Sequence, residues 1–362
     1  MSDNVKNVVT TALFIIIIFA IFIINLVKED EAISISERRK LQQFPEFSLS
    51  NLNNGTFFEK FDKYTMDQFF QRENFRKVKT VVELDVFKKQ DYNNIYDVNG
   101  FLIEQLYPLN EKSVQNMTNK INDIKNKYLT EENDVYYTII PDKNYFINEK
   151  NLRLDYDKIE KLMGQNLEWA KYINIFDTLE LNDYYYTDSH WKQEKIKKVA
   201  NRIADGMNLK LSWPYTEESI IKFKGVYAGR LPLETNVDEI RVLTNDNLEE
   251  CLVYNYETKQ TTKVYDMSKT TAYDKYDVYL SGAVSLLAIN NPNNTSGKEL
   301  IIFRDSYGSS LTPLLIEAYS KVTVVDTRYI SPKILEDYIT FTNQDVLFAY
   351  STLLINDSAS LK

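Results

Sequence analysis

A single histidine, His190, serves the whole 362-residue chain, so any imidazole acid or base chemistry must run through it. It lies in Tyr186-Thr-Asp-Ser-His-Trp191, two residues after Asp188. In an irregular segment a carboxylate at that spacing reaches the Nδ1 side of the ring, fixes its tautomer and leaves Nε2 to take a proton from a nucleophile. A helix N-cap is the commoner use of such a string. The best-placed nucleophile is Ser306, in Phe303-Arg-Asp-Ser-Tyr-Gly308, between a strand-like run and a helical one. A serine there projects from the carboxyl end of a parallel strand, where open α/β sheets bind ligands. The helix start that follows offers backbone N–H groups to an oxyanion. Here too a plain cap, by Asp305 or Ser306, is the competing reading. Taken together the two segments supply nucleophile, base and orienter, and their chain order is no obstacle because such triads recur in several orders. Arg304, Arg328 and Tyr329 lie beside the strand ends and are candidates for binding a substrate, although a strand-end arginine is more often a solvated charge.

The counts exclude other chemistries. One cysteine, Cys251, and one histidine leave no intrachain disulfide, no Cys-based zinc site, no CxxC redox centre and no two-His metal motif. A net charge of -9 argues against nucleic acid as a partner, because phosphate binding needs a basic face. Among the 52 acidic residues no pair stands out as a glycosidase couple.

The elements that must position these residues read as alternating helix and strand. Helices are predicted over 109–129, 155–171, 191–206 and 309–320. Strands are predicted over 134–140, 172–176, 299–303, 321–326 and 345–350. Apolar strands without polar alternation, interleaved with helices, imply an α/β fold with a mostly parallel sheet covered on both faces. Asn99-Gly100 between two apolar runs predicts a hairpin. Phe57 to about Lys89 carries apolar residues at helical spacing, and residues 207–298 break the rhythm with β stretches such as 251–256 and 262–267, as an inserted β-rich lobe would. Residues 8–27 are an uncharged apolar run of about the 20 residues that cross a bilayer, without a cleavage-site pattern, and read as an uncleaved anchor.

The Thr187-Asp-Ser-His-Trp191 string, the Arg304-Asp-Ser-Tyr-Gly308 turn and the stretch Glu37 to Ser48 resemble the DHHW-motif proteins and the related alginate O-acetyltransferase-like proteins. Further matches are Asp67-Gln-Phe-Phe-Gln-Arg72, Asp97 to Leu102, Ile140-Pro-Asp-Lys143 and Val325-Asp-Thr-Arg-Tyr329. The resemblance implies an SGNH-hydrolase-like fold and a membrane-anchored, extracytoplasmic O-acetyltransferase acting on a polysaccharide. A membrane-bound O-acyltransferase partner would supply the acyl group, and no cofactor is called for. Carried over by position, Ser306 is the nucleophile, His190 the base and Asp188 its orienter; the oxyanion donors expected beside them are the Ser306 and Gly308 amides, with Gly282 as a further one. Two departures stand out: Ser189 occupies the place of a second histidine, and Ser281-Gly282-Ala283 lacks the asparagine of the usual Gly-Gly-Asn run. The same residues would serve a carbohydrate esterase. The missing asparagine also fits a non-catalytic carbohydrate-binding or assembly subunit. On this reading residues 1–7 are a cytoplasmic tail, 8–27 the transmembrane anchor, 28–56 a stalk and 57–362 the SGNH-like domain with its lobe at about 207–298. A Lys/Arg count runs the other way, with Lys6 before the span and Lys28, Arg38, Arg39 and Lys40 after it, but that rule weakens for long translocated domains.

Overall fold

The computed structural model describes residues 2–34, 36–37, 39–147 and 152–362, and Arg38 of the basic run lies outside the described residues. The chain forms two compact units, one of residues up to 93 with 229–234, the other of 94–228 and 235–362.

In the first unit, α1 (Asp3–Val27) is long and apolar enough to cross a membrane and buries none of its residues in the protein. A two-stranded pair, β1 (Ile33–Ser34) and β2 (Arg39–Lys40), precedes helices α2 (Leu49–Asn53), α3 (Thr56–Asp67) and α4 (Arg72–Val81). The expected helical run from Phe57 is therefore two helices, broken where Gln71 takes a left-handed φ of 59°. The stretch read as a stalk folds back on them instead. The Gln68 side chain bonds both the amide and the carbonyl of Glu31 at 2.9 Å, Arg39 grips Asp67 at 2.6 and 2.8 Å, and Arg72 meets Glu37 at 2.7 Å. Its polar composition looks like a linker, but its charges find partners on α3 and α4.

The second unit opens with the hairpin β3 (Ile95–Val98) and β4 (Phe101–Glu104), whose turn residues Asn99 and Gly100 have φ of 52° and 86°, the left-handed pair that a two-residue turn demands. Then come α5 (Glu111–Tyr128), β5 (Val135–Ile140), α6 (Tyr156–Asn166), β6 (Lys171–Tyr172), α7 (Lys197–Gly206), β7 (Thr216–Phe223), α8 (Val226–Arg230, whose last two residues count with the first unit), β8 (Asp238–Thr244) and α9 (Asp246–Glu250). The chain closes with β9 (Leu252–Asn255), β10 (Gln260–Thr262), β11 (Leu286–Asn290), β12 (Glu299–Arg304), α10 (Tyr307–Leu311), β13 (Lys321–Val325), β14 (Asp345–Ser351) and α11 (Thr352–Asn356). Eight strands form one sheet in the order β10-β9-β11-β13-β12-β14-β5-β6. β13, β12, β14, β5 and β6 run parallel, and β11 and β9 extend the sheet antiparallel.

The parallel strands are apolar on both faces, as expected. Leu300 and Ile302 of β12 pack with Val199 and Ile203 of α7 on one face. Ile301 and Phe303 pack with Met117 and Ile121 of α5 and Ile159 of α6 on the other. Each such side chain contributes roughly 1.5–3 kcal/mol of burial, so the two layers fix the end of β12, which Ser306 follows.

Several elements differ from expectation. The segment 207–298 is not one separate lobe, because β9, β10 and β11 join the main sheet and only β7 and β8 pair apart from it. The strand expected at 172–176 stops at Tyr172, since the Asn174 side chain accepts the Phe176 amide and turns the chain. The helix expected from 191 becomes a short turn at Gln193–Lys195 before α7. The one expected over 309–320 is α10 followed by 3-10 turns from Thr312 to Ala318, where Pro313 lacks an amide donor.

Candidate active site

β12 runs out at Arg304 into a turn that Asp305 builds. One carboxylate oxygen accepts the Tyr307 amide at 3.0 Å and the other accepts the Ser351 amide at 2.8 Å, which ties the exit of β12 to the end of β14. Asp305 thus does the capping, and the Ser306 side chain caps nothing. The serine hydroxyl lies 2.7 Å from His190 Nε2 instead.

The histidine comes from a tight loop closed by the Tyr184–Trp191 bridge and by the Tyr185 amide donating to the His190 carbonyl at 3.0 Å. Asp238 at the start of β8 is buried and accepts the amides of Tyr186 and Thr187 at 2.7 Å and the Thr187 hydroxyl at 2.6 Å. Asp188 Oδ1 stands 2.6 Å from His190 Nδ1, and its Oδ2 accepts the Val226 amide at 3.0 Å. An ionised Asp188 can only accept, so Nδ1 carries the proton and Nε2 presents its lone pair to the Ser306 hydroxyl. Ser189 Oγ is 3.4 Å from the same Nδ1, a much longer approach than the aspartate's. Gly225 lies against this loop, and a Cβ there would overlap Asp188 and the Thr187 carbonyl.

Buried aromatic groups hold the ring from behind. Tyr276 stacks on His190, its hydroxyl meets Ser310 Oγ at 2.6 Å, Trp191 Nε1 donates to the same Oγ at 2.9 Å, and the Tyr307 hydroxyl donates to the Ser189 carbonyl at 2.6 Å. The side chains of Asp188 and His190 are 1% and 9% exposed, whereas Ser306 is half-buried, so the line opens to solvent at its serine end. Lys143 is buried beside the loop and donates to the carbonyls of Leu102 at 2.7 Å and Tyr186 at 3.2 Å. Burial pulls its ammonium down to about 7, against the pull of the nearby Asp188 and Asp238 carboxylates.

The expected oxyanion donors are corrected. The Gly308 amide donates to the Asp305 carbonyl at 3.0 Å, and the Gly282 amide donates to the Tyr279 carbonyl at 3.1 Å. Both glycines are there for space: a Cβ on Gly308 would crowd the Arg304 side chain, and one on Gly282, at φ 78°, would overlap Asp277. The Ser306 amide, which was also expected as a donor, has no partner among the described residues and is the one left beside the Ser306 hydroxyl.

Arg304 is also corrected as a substrate contact. It is fully buried, with Nη1 3.2 Å from Asp326 Oδ2 and Nη2 donating to the Gly282 carbonyl at 3.0 Å, and burial lowers its guanidinium pKa. Its position on the sheet side of the turn, where β12 and β13 end together, leaves it no route to solvent. Arg328 holds the same Asp326 by two bonds of 2.9 and 2.6 Å, keeps a fifth of its side chain exposed and lies 5.3 Å from the Tyr329 ring centroid. Arg328 and the exposed Tyr329 therefore stay available after β13, although neither touches Ser306. Asp238, Gly225 and Tyr276 were missed, since nothing local marks them. Lys143 closes the Ile140-Pro-Asp-Lys143 motif, but its burial beside the histidine loop is visible only in the fold.

This is a mixed α/β protein with a large, mostly parallel sheet, at whose carboxyl edge a serine, a histidine and an aspartate stand in hydrogen-bonded line. The family model for DHHW protein matches residues 226–325, which include the Ser306 turn, so the resemblance read from the motifs holds. The chain is similar in structure to a DHHW family protein from Eubacterium siraeum, with 19% identity, a TM-score of 0.58, and 75% of this chain and 94% of that one covered. It is similar to Bacillus cereus PatB1 bearing a sulfonyl adduct, with 15% identity, a TM-score of 0.57, and 72% and 95% covered. A more distant likeness is to the O-acetyltransferase domain of Pseudomonas putida AlgJ, with 12% identity, a TM-score of 0.46, and 73% and 93% covered. None of the curated proteins matches the sequence.

Proposed function

We propose that the protein is a membrane-anchored O-acyltransferase, acetyl being the expected group, that modifies a cell-surface or secreted polysaccharide through an acyl-serine. The observation that carries this reading is the unbroken line Asp188–His190–Ser306, at 2.6 and 2.7 Å, ending on a half-buried hydroxyl at the carboxyl edge of β12. In the first step His190 Nε2 takes the hydroxyl proton as Ser306 Oγ attacks the acyl carbon, and the Ser306 amide faces the oxyanion. The leaving group departs with that proton, and the acyl-serine remains. A sugar hydroxyl then attacks the acyl carbon, gives its proton to His190, and the ester bond to Ser306 breaks as the proton returns to Oγ. Arg328 and Tyr329 are proposed to steady an anionic acceptor. The anchor is α1, with its N-terminus cytoplasmic and the body outside. The partner expected is a membrane-bound O-acyltransferase that brings the acyl group across.

Because PatB1 is known with a sulfonyl adduct, a sulfonyl fluoride is a natural probe. Intact-mass measurement on the full chain after exposure to that reagent, or to an activated acetyl ester, should give one adduct on wild type and none on Ser306→Ala. An equal adduct on both proteins would remove the acyl-serine. A second reading, a non-catalytic carbohydrate-binding subunit, is favoured by the occupied amides of Gly308 and Gly282 and by the absence of a donor side chain at Ala283, and predicts no adduct at all. Transfer and hydrolysis part when acetate release is followed with and without an oligosaccharide: a transferase diverts acetyl to the sugar, while an esterase of the same residues releases acetate regardless.

A further inference from the structure

Within the first unit the chain returns to α1 after α3. Asn25 Oδ1 accepts the Phe70 amide at 2.8 Å, and Ile21, Phe69, Phe70, Phe75 and Val78 line a groove of about 330 Å³ between the two segments. Ile21 is six residues before the end of α1, roughly 9 Å along the helix axis at 1.5 Å per residue. α4 and the π-helical turn after it, Val82–Val86, turn an apolar stripe outward: Phe75, Val78, Val82 and Val86 recur at helical spacing, with Phe75, Val78 and Val86 exposed by 55%, 59% and 66%. The opposite side is charged and engaged inward, Arg76 pairing with Glu73 at 2.9 Å and with Glu37 at 3.6 Å, and Thr80 is buried.

An amphipathic helix with its apolar side bare is the form that lies in a membrane interface, its apolar face buried about 5–10 Å into the boundary between headgroups and acyl chains. The depth given by the Ile21 level agrees with that figure if α1 spans the bilayer. We infer that α4 and the turn after it are an interfacial helix, docked by Asn25 against the membrane anchor, with Phe75, Val78 and Val86 seated in the lipid of the leaflet where α1 emerges. The occupant is the bilayer itself, argued from the continuity of this stripe with the apolar surface of α1. The groove at Ile21 would then be filled by acyl chains. The inference rests on the anchor part of the proposed function and is independent of the acyl-transfer chemistry.

The test uses the full chain with its only cysteine replaced, Cys251→Ala, and single cysteines at Phe75→Cys, Val86→Cys or Ile17→Cys, each carrying an environment-sensitive fluorophore. The proteins are reconstituted in phosphatidylcholine vesicles containing lipids doxyl-labelled near the headgroup or deep in the chain, with iodide as the aqueous quencher. The expected result is at least twofold stronger quenching of the Phe75 and Val86 labels by shallow doxyl lipid than by iodide, with the Ile17 label quenched most by the deep one. Quenching at Ile17 together with iodide access at Phe75 and Val86 overturns the inference and leaves the anchor standing. Shielding of both positions from lipid and iodide alike also overturns it, by showing that protein covers the stripe. An Ile17 label that lipid does not quench removes the anchor, and with it the inference.

Discussion

Tyr276 lies flat on the His190 imidazole, with ring centroids 3.8 Å apart and planes 8° from parallel, while its hydroxyl reaches past the ring to Ser310. The tyrosine therefore sets the tilt of the only imidazole and adds a face whose quadrupole suits a protonated ring. Tyr276→Phe keeps the face and loses one buried hydrogen bond, about 1 kcal/mol of stability. Tyr276→Ala leaves a cavity behind the base and should cost about 3–5 kcal/mol. Esterase turnover on an acetyl ester should fall by less than about threefold for the phenylalanine and by about tenfold or more for alanine, on the scale of a misplaced catalytic group. Equal turnover in the alanine variant, measured where it is still folded, would show that the stack does not position the base.

Asp188, His190 and Ser306 touch in sequence, so they should act as one unit. Asp188→Asn offers an amide where Nδ1–H needs an acceptor, and the ring can settle in the wrong tautomer. A loss of about 10⁴-fold in kcat is expected, as in other triads. Ser306→Ala should cost about as much alone as with His190→Ala added, because neither residue works without the other. Kinetics of the single and double variants check this, and additive losses would mean that the two side chains act separately.

Gly225 is the point where the loop carrying the acid is gripped from outside. Its amide donates to Thr187 Oγ1 at 2.7 Å, and the next amide donates to Asp188. Gly225→Ala places a methyl group into Asp188 and the Thr187 carbonyl, so the loop must shift. A cost of roughly 1–3 kcal/mol in stability is expected from such overpacking, with kcat falling further than stability alone explains. Urea unfolding together with turnover separates the two effects, and full activity in the alanine variant would mean that Asp188 tolerates displacement.

How much of this was legible in the sequence follows from where the information sits. His190 and Ser306 could be singled out because one is unique in the chain and the other falls between a strand and a helix, both local facts. Their meeting, 116 residues apart, was inferred from roles and not from any pattern. Asp238, which fixes the loop, is one of 52 acidic residues, and its importance comes from burial under Tyr186 and Thr187 that no spacing announces. The oxyanion reading went astray at Gly308 and Gly282 for a related reason. A glycine near a helix start suggests an open amide, but here each amide closes its own turn, and the missing side chain is explained by Arg304 and Asp277. The parallel strands were readable since Leu300 to Phe303 are apolar on both faces. The joining of β9 to β11 was not, because register between distant strands is a tertiary choice.

Lys143 gives the protein a dependence on pH that runs opposite to that of a lysine paired with a carboxylate, whose pKa is raised on folding. Its folded pKa, near 7, lies below the ordinary 10.5 because burial disfavours the charge more than Asp188 and Asp238 restore it, while Lys192 adds a like charge. Between about pH 7 and 10 the unfolded chain therefore holds a proton that the folded chain has released, so stability should rise with pH across that window. Below 7 both states are protonated and the slope disappears. The rise should be on the order of a few kcal/mol. Urea unfolding at pH 7, 8 and 9 should show it in wild type and lose it in Lys143→Met; the same slope in both proteins would assign it to other groups.

Arg304 and Arg328 share one carboxylate, Asp326, and yet should answer substitution to very different extents. Arg304 is sealed in, its Nε lacks a partner among the described residues, and it fills the space that Gly308 opens. Removing it leaves a cavity under the serine turn and a carboxylate with half its neutralisation, for which a loss of about 3–5 kcal/mol is expected for Arg304→Ala. Arg328 reaches solvent, and Asp326 keeps Arg304 when it is gone, so Arg328→Gln should cost no more than about 1–2 kcal/mol. If Arg328 steadies an anionic acceptor, that variant should raise KM for an acidic oligosaccharide severalfold and leave kcat for a small acetyl ester unchanged. A fall in kcat for the ester, with KM for the sugar untouched, would move Arg328 from acceptor binding to support of the Ser306 turn.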